Sequence, residues 1–151
     1  MALDINGILD AVVSHALASG HFERVNTHEP QNAPGHGLTA AVWVDGIAAA
    51  RSSGLGVASA RLVFNVRLFT PVLQEPADAI DPNLLTAADA LLRAYVGDFD
   101  LGGRVRQVDL FGQHGPGLEA RAGYIQQDGA LLRVITITLP VIVNDLWDEV
   151  A

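Results

Sequence analysis

The sequence predicts an α+β domain whose sheet is mainly antiparallel, with two main helices packed on one face. Three observations predict it. Candidate elements follow the order helix, strands, helix, strands, which builds a sheet with helices on one side. Asp128-Gly129, set between two strand-like runs, has the composition of a two-residue type I′ hairpin turn. One register of that hairpin then sorts apolar from polar positions along its whole length.

Asp4 is a candidate N-cap for a first helix over about 5–18. Ile5, Ile8, Leu9, Val12, Ala16 and Leu17 form its apolar stripe, and Gly20 ends it. An extended piece from Phe22 to Thr27 leads into the loop Glu29 to Gly37, which is rich in turn formers. A strand runs from Thr39 to about Ala48 and another from Val57 to Phe69. The second alternates, with Ala58, Ala60, Leu62, Phe64, Val66 and Leu68 on one face and Ser59, Arg61, Asn65 and Arg67 on the other. Between them, Ala49 to Gly56 is longer than a tight hairpin needs and reads as a projecting arm.

Asp81-Pro82 marks a helix start, with Asp81 as N-cap and Pro82 in the first helical position. Leu84, Leu85, Ala88, Leu91, Leu92 and Tyr95 form its buried stripe, and Gly97 is its C′ residue. Val105 to Phe111 reads as a further strand, followed by a turn from Gly112 to Gly117. The Asp128-Gly129 turn pairs Gln127 with Ala130, which sets Leu118, Ala120 and Ala122 opposite Leu139, Ile137 and Ile135. The other face pairs Glu119 with Thr138 and Arg121 with Thr136.

The 151 residues suit one domain over 1–151 with one core; there is no internal repeat or linker. Half of the chain is apolar and the mean hydropathy is +0.29. No run approaches the roughly 20 apolar residues that span a bilayer, and the start lacks the pattern of a signal peptide. Apolarity without a membrane segment implies surface kept for partners. The net charge is −8 and all nine basic residues are Arg. An acidic chain is poorly suited to gripping nucleic acid through its phosphates. Zero cysteines exclude disulfides and thiolate metal sites.

Candidate chemistry is sparse. No two of His15, His21, His28, His36 and His114 stand four apart, the helical metal-site spacing. His28, Glu29 and His36 share one loop that could clamp a metal, against the plainer reading of loop or interface histidines. There is no nucleophile elbow, and Ser52-Ser53 has no His beside it in sequence. Asp98 and Asp100 follow a helix end, where solvated carboxylates are ordinary. The glycine clusters lack the Lys and the helix of a phosphate loop. No enzyme, cofactor or resident metal is expected.

Several stretches together resemble the tail terminator proteins of long-tailed bacteriophages, especially those of actinobacteria. They are Phe22-Glu23-Arg24-Val25-Asn26 with His28-Glu29-Pro30, Ala33-Pro34-Gly35, Gly37 to Trp43, and Phe64-Asn65-Val66-Arg67. The Asp81-Pro82 helix through Tyr95 and Gly97, Gly123-Tyr124, and Thr136 to Asp145 complete the set. The resemblance spans nearly the whole chain and rests on order and lengths rather than on one diagnostic motif. It implies a hexameric ring on the head-proximal end of the tail tube. Such a ring stops tube growth, meets the tail tube protein below and a head-completion or neck protein above, and lets DNA pass through its lumen. The expected location is therefore the virion tail, in a particle assembled in the bacterial cytoplasm.

A ring subunit needs two different, mutually complementary lateral faces. Three segments are candidate contacts: the arm with Arg51, Ser52, Ser53, Gly54 and Leu55; the loop with His28, Glu29 and His36; and the end of the chain with Asn144 and Trp147. Trp147 either folds back on its own domain or docks on a neighbour. An acidic lumen would let DNA slide. Two other readings stand beside this one: a head–tail neck adaptor, which differs in partner, and a small ligand-binding or hydrolytic α+β domain, which needs a deep pocket with converging polar groups.

Overall fold

Strand β6, Ala130–Asp148, is the spine of the structure. It pairs with β3 (Val57–Pro71) along one side, and on the other with β5 (Glu119–Gln127) and then β4 (Gln107–Val108). Beyond β3 lie β2 (Thr39–Ala50) and the short β1 (Arg24–Asn26), so the sheet order is β1-β2-β3-β6-β4, with β5 on β6. Every pairing is antiparallel except β1 with β2. This computed structural model describes residues 3–27, 38–51, 56–72, 80–148 and 150. The protein is α+β, as the element order predicts.

Helix α1, Ile5–Ser19, has the predicted caps. The Asp4 carboxylate accepts the Gly7 amide, and Gly20 closes the helix at φ 74° in the left-handed region. Helix α2, Ile80–Gly97, begins two residues before the Pro82 start that Asp81-Pro82 implies. Asp81 does not act as a cap; its carboxylate receives the Arg133 guanidinium from β6. Leu85, expected in the buried stripe, is 60% exposed, and Ile80 and Ala87 are buried in its stead. Both helices lie on one face of the sheet. Ile8, Val12 and Ala16 of α1 and Leu84, Leu91 and Tyr95 of α2 pack against Val42, Leu62, Phe64, Val66, Leu68, Ile135, Ile137 and Leu139. A smaller cluster of Ala41, Phe69, Leu132 and Val134 sits on the opposite face, with Trp43 half-buried beside it.

The hairpin register is the predicted one: Glu119 opposite Thr138, Arg121 opposite Thr136 and Gln127 opposite Ala130. Asp128 and Gly129 have φ of 51° and 74°, the two positive values that a type I′ turn demands. The expected strand Val105 to Phe111 shrinks to the two residues of β4, because Asp98 to Arg106 are occupied by turns. Trp147 does not lie in a terminal turn but in β6, half-buried and level with Ala58. The predicted arm is shorter than expected as well, since β2 runs on to Ala50 and β3 starts at Val57.

Three residues of β6, Asn144 to Leu146, face Ser59 alone where the β3–β6 register shifts. Asp145 has φ 48° there, and the buried Ser59 hydroxyl accepts its amide while donating to the Asn144 side chain. This explains a fully buried serine on the β3 face that also carries Arg61, Asn65 and Arg67.

Candidate functional site

Functional features of the described residues lie at the two margins of the sheet rather than in a cleft. The first margin is built from β5, β4 and the near flank of α2. The apolar face that the hairpin register predicts for β5 exists, opposite Ile137 and Ile135, but among the described residues nothing covers it: Ala120 and Ala122 are exposed. Tyr124 continues that row opposite Arg133 and is 61% exposed. The Arg133 guanidinium lies 4.5 Å over the Tyr124 ring and is bonded to Asp81 at 2.9 Å, so strand, ring and helix start are tied together. Asp81 holds the Arg133 pKa up by accepting its hydrogen bonds. Leu85, Leu92 and Val96 follow Asp81 on one stripe of α2, and Leu85 and Val96 are exposed.

The loop from Asp109 to Gly117 belongs to the same margin and is held from within. The buried Asp109 carboxylate accepts the amides of Gln113 and His114 at 2.8 and 3.0 Å, and Leu118 donates its amide to the Leu110 carbonyl. Gly112, at φ 76°, allows a close approach, since a Cβ there would stand 2.4 Å from the Gly115 carbonyl oxygen. Arg61 of β3 anchors the far side by donating to the Pro116 carbonyl at 2.6 Å. At the front of this fixed loop Phe111 is 94% exposed. The dent behind it, lined by Gln107 to Phe111 and Gln113, measures about 110 Å³, below the ~300 Å³ at which small-molecule sites begin.

The second margin is β2. β1 covers its outer edge only at Thr39 to Ala41. Further on, Val44 and Ile47 are 39% and 52% exposed. They lie opposite Phe64 and Leu62, which puts them on the helix side of the sheet.

Of the sequence candidates, Arg51 is exposed at the end of β2, while Ser52, Ser53, Gly54, Leu55, His28, Glu29 and His36 lie outside the described residues. Asn144 is exposed, and its side-chain oxygen accepts from Ser59 and, at 3.1 Å, from Arg106. It is thus part of the β6 bulge, tying β4's approach to β3. Trp147 lies further along the same strand and is half-buried. Sequence reasoning missed Phe111, Tyr124, Val44 and Ile47. Phe111 precedes Gly112-Gln113-His114-Gly115-Pro116-Gly117, and an aromatic in a glycine-flanked turn is a signal for projection that a strand assignment hides.

The helices meet through a polar contact. His15 Nε2 lies 2.8 Å from Asp98 Oδ2, and its ring meets Tyr95 edge-on. The buried Tyr95 hydroxyl donates to the Val12 carbonyl, and burial pushes its pKa up, so it remains a neutral donor. Asp98 is held below the usual carboxylate range by the His15 hydrogen bond and then by the Gly102 amide. A carboxyl with a lowered folded pKa adds stability above its unfolded pKa and loses it as pH falls through the folded value. Asp98→Asn is therefore expected to lower the melting temperature at pH 7 and to flatten its decline below about pH 4. Thermal unfolding at pH 7, 4 and 3 checks both; identical declines in the two proteins would show that Asp98 contributes nothing.

Among the described residues no group of three or more His, Asp or Glu is placed to hold a metal ion. No described helix is long and apolar enough to cross a membrane. No protein-family model matches the chain, and no curated protein does. Among solved structures, the chain is similar to one from the virion of a native gene transfer agent (GTA) particle, with 16% identity, 94% of this chain and 98% of that chain covered, and a TM-score of 0.42.

Proposed function

We propose that this protein is a structural virion component that joins head to tail with copies of itself into a ring, and that the ring caps the head-proximal end of a long phage tail tube. The observation that carries the ring is a subset of the exposed apolar side chains, those at the two margins of the sheet. Phe111, Tyr124, Leu85 and Val96 lie at one margin of the sheet, and Val44 and Ile47 at the other. Two unlike sticky margins on one subunit are what a heterologous, closing interface requires. An isologous dimer would use one patch twice.

The tail-terminator reading adds the place of the ring, and it draws on the sequence resemblance together with an α+β fold whose sheet, among the described residues, is open at both edges. On this reading the work is done by contacts with the tube protein and the neck, and no catalytic step or cofactor is required. A hexamer is the expected closure. The expectation of an acidic passage finds no support in the helix-free face of the sheet, whose charges are mixed: Arg61, Arg67 and Arg121 with Glu119. The Arg67 guanidinium there lies 5.1 Å over the Trp43 ring and donates to Thr136.

The test is tube polymerisation in vitro. Tail tube protein grown in the presence of this chain is expected to give shorter tubes, each carrying one ring at one end by electron microscopy. Tubes of unaltered length with the chain left in solution would overturn the capping role. Co-purification with portal or head-completion protein in place of tube protein would move the ring to the neck.

A further inference from the structure

We infer that the two open edges of the sheet pair with each other between copies: β5 of one copy adds, antiparallel, to the outer edge of β2 in the next, making one sheet that runs across subunits. This rests on the ring reading and specifies how its lateral interface is made.

Four observations carry it. The first is polarity. β2, β3, β6 and β5 alternate in direction, so β5 and a following β2 are antiparallel without any turn of the subunit. The second is that both edges are unpaired along most of their length among the described residues. Among the described residues nothing pairs with β2 outward of Ala41, or with the outer side of β5. Neither Val42–Ala50 nor Glu119–Ile125 contains a Pro, although β2 bulges at Asp45 and β5 carries Glu119 and Arg121.

The third is a register that fits. β2 carries an extra residue at Asp45, between Val44 and Gly46. With Ile47 set opposite Ala122, Ala49 meets Ala120, Gly46 meets Gly123 and, across the extra residue, Val44 meets Tyr124. All the non-glycine members of these pairs lie on the helix side, since their partners inside the subunit are Leu62, Ala60, Phe64, Ile135, Ile137 and Arg133. On the other face Arg121 lies over the small Ala48. In this register Glu119 lies opposite Ala50, and the exposed Arg51 falls opposite Leu118. A one-residue slip would set Ile47 against Arg121 or Gly123 and lose its match with Ala122.

The fourth is the stagger. Ile47 is level with Val141 on β6, whereas Ala122 is level with Ile135. The next copy is therefore shifted by roughly six residues, or about 20 Å, along the strands. Four strands per copy at about 4.8 Å make about 19 Å of width. That ratio inclines the strands by about 45°, within the range of sheets that close into barrels. The same pairing without stagger would leave strands parallel to the ring axis.

The chain has no cysteine, so a disulfide can be placed cleanly. Ile47→Cys and Ala122→Cys are expected, when mixed and assembled on tube tips under mild oxidation, to give cross-linked dimers. The double variant should give a ladder ending in a covalent ring. Each single variant alone should stay uncrosslinked, and the off-face pair Ala48→Cys with Ala122→Cys should not form the bond. Unchanged melting temperatures of the reduced variants establish that they fold. Rings that assemble without the Ile47–Ala122 bond, or bonds formed within a single-variant population, overturn the edge pairing and leave the ring intact. Absence of any ring overturns both.

Discussion

Phe111→Asp is expected to abolish assembly while leaving the subunit as stable as before. The side chain is 94% exposed, so its removal takes away almost no packing within the chain. Its loop is held by Asp109, by the Leu118–Leu110 backbone bond and by Arg61, none of which involves the ring. An aromatic presented on a fixed loop loses little conformational entropy on docking, the property that makes such residues interface anchors. A buried anchor replaced by a charge typically costs about 2–4 kcal/mol per interface. A ring multiplies that loss over every joint. Sedimentation or mass photometry with tube tips should show monomers at concentrations where the parent protein forms rings, while thermal unfolding of the two proteins coincides. Normal rings with Asp at this position would exclude Phe111 from the interface.

Phe64→Ala is expected to have the opposite profile: a large loss of stability, with assembly failing only because the subunit unfolds. Phe64 is wholly buried in the middle of β3, opposite Val44 on one side and Leu139 on the other, and it belongs to the cluster under both helices. Truncating a buried Phe costs about 3–5 kcal/mol, a large share of the roughly 5–15 kcal/mol that holds a domain together. The melting temperature should fall by about 10 °C or more. Phe64→Leu should recover most of the loss; equal losses for Ala and Leu would mean that shape rather than volume governs the position.

These two phenylalanines also show what was legible in the sequence. Phe64 could be placed because β3 alternates for eleven residues, a period-2 signal that holds wherever one face of a strand is buried. The β5–β6 register was legible for a related reason: Asp128-Gly129 fixes the turn, and the turn fixes every pair beyond it. Phe111 could not be placed. The two residues of β4 are too few to impose alternation, and the conformation after them is set by side-chain bonds from Asp109 to amides four and five residues away. Leu85 misled for a different reason. It fits a helical apolar stripe, and periodicity does not say whether the layer beneath extends far enough to cover the stripe's margin. The same limit applies to Ala120 and Ala122, whose pairing partners were correct and whose covering was absent. Asp81 shows a third limit, since an N-cap pattern cannot foresee a competing arginine fifty-two residues away.

The central place of β6 bears on the order of events during synthesis. This strand supplies partners to β3, β4 and β5, yet it emerges from the ribosome after all of them. Until then β3 lacks its longest neighbour, β5 has nothing to pair with, and the cluster beneath the helices lacks Ile135, Ile137, Leu139 and Val141. A chain lacking β6 therefore lacks the first margin, since β4 and β5 have no strand to pair with. On the ring proposal, formation of β6 would be the step that makes a subunit fit for assembly. Folding should accordingly be slow and late, dominated by contacts between distant parts of the chain.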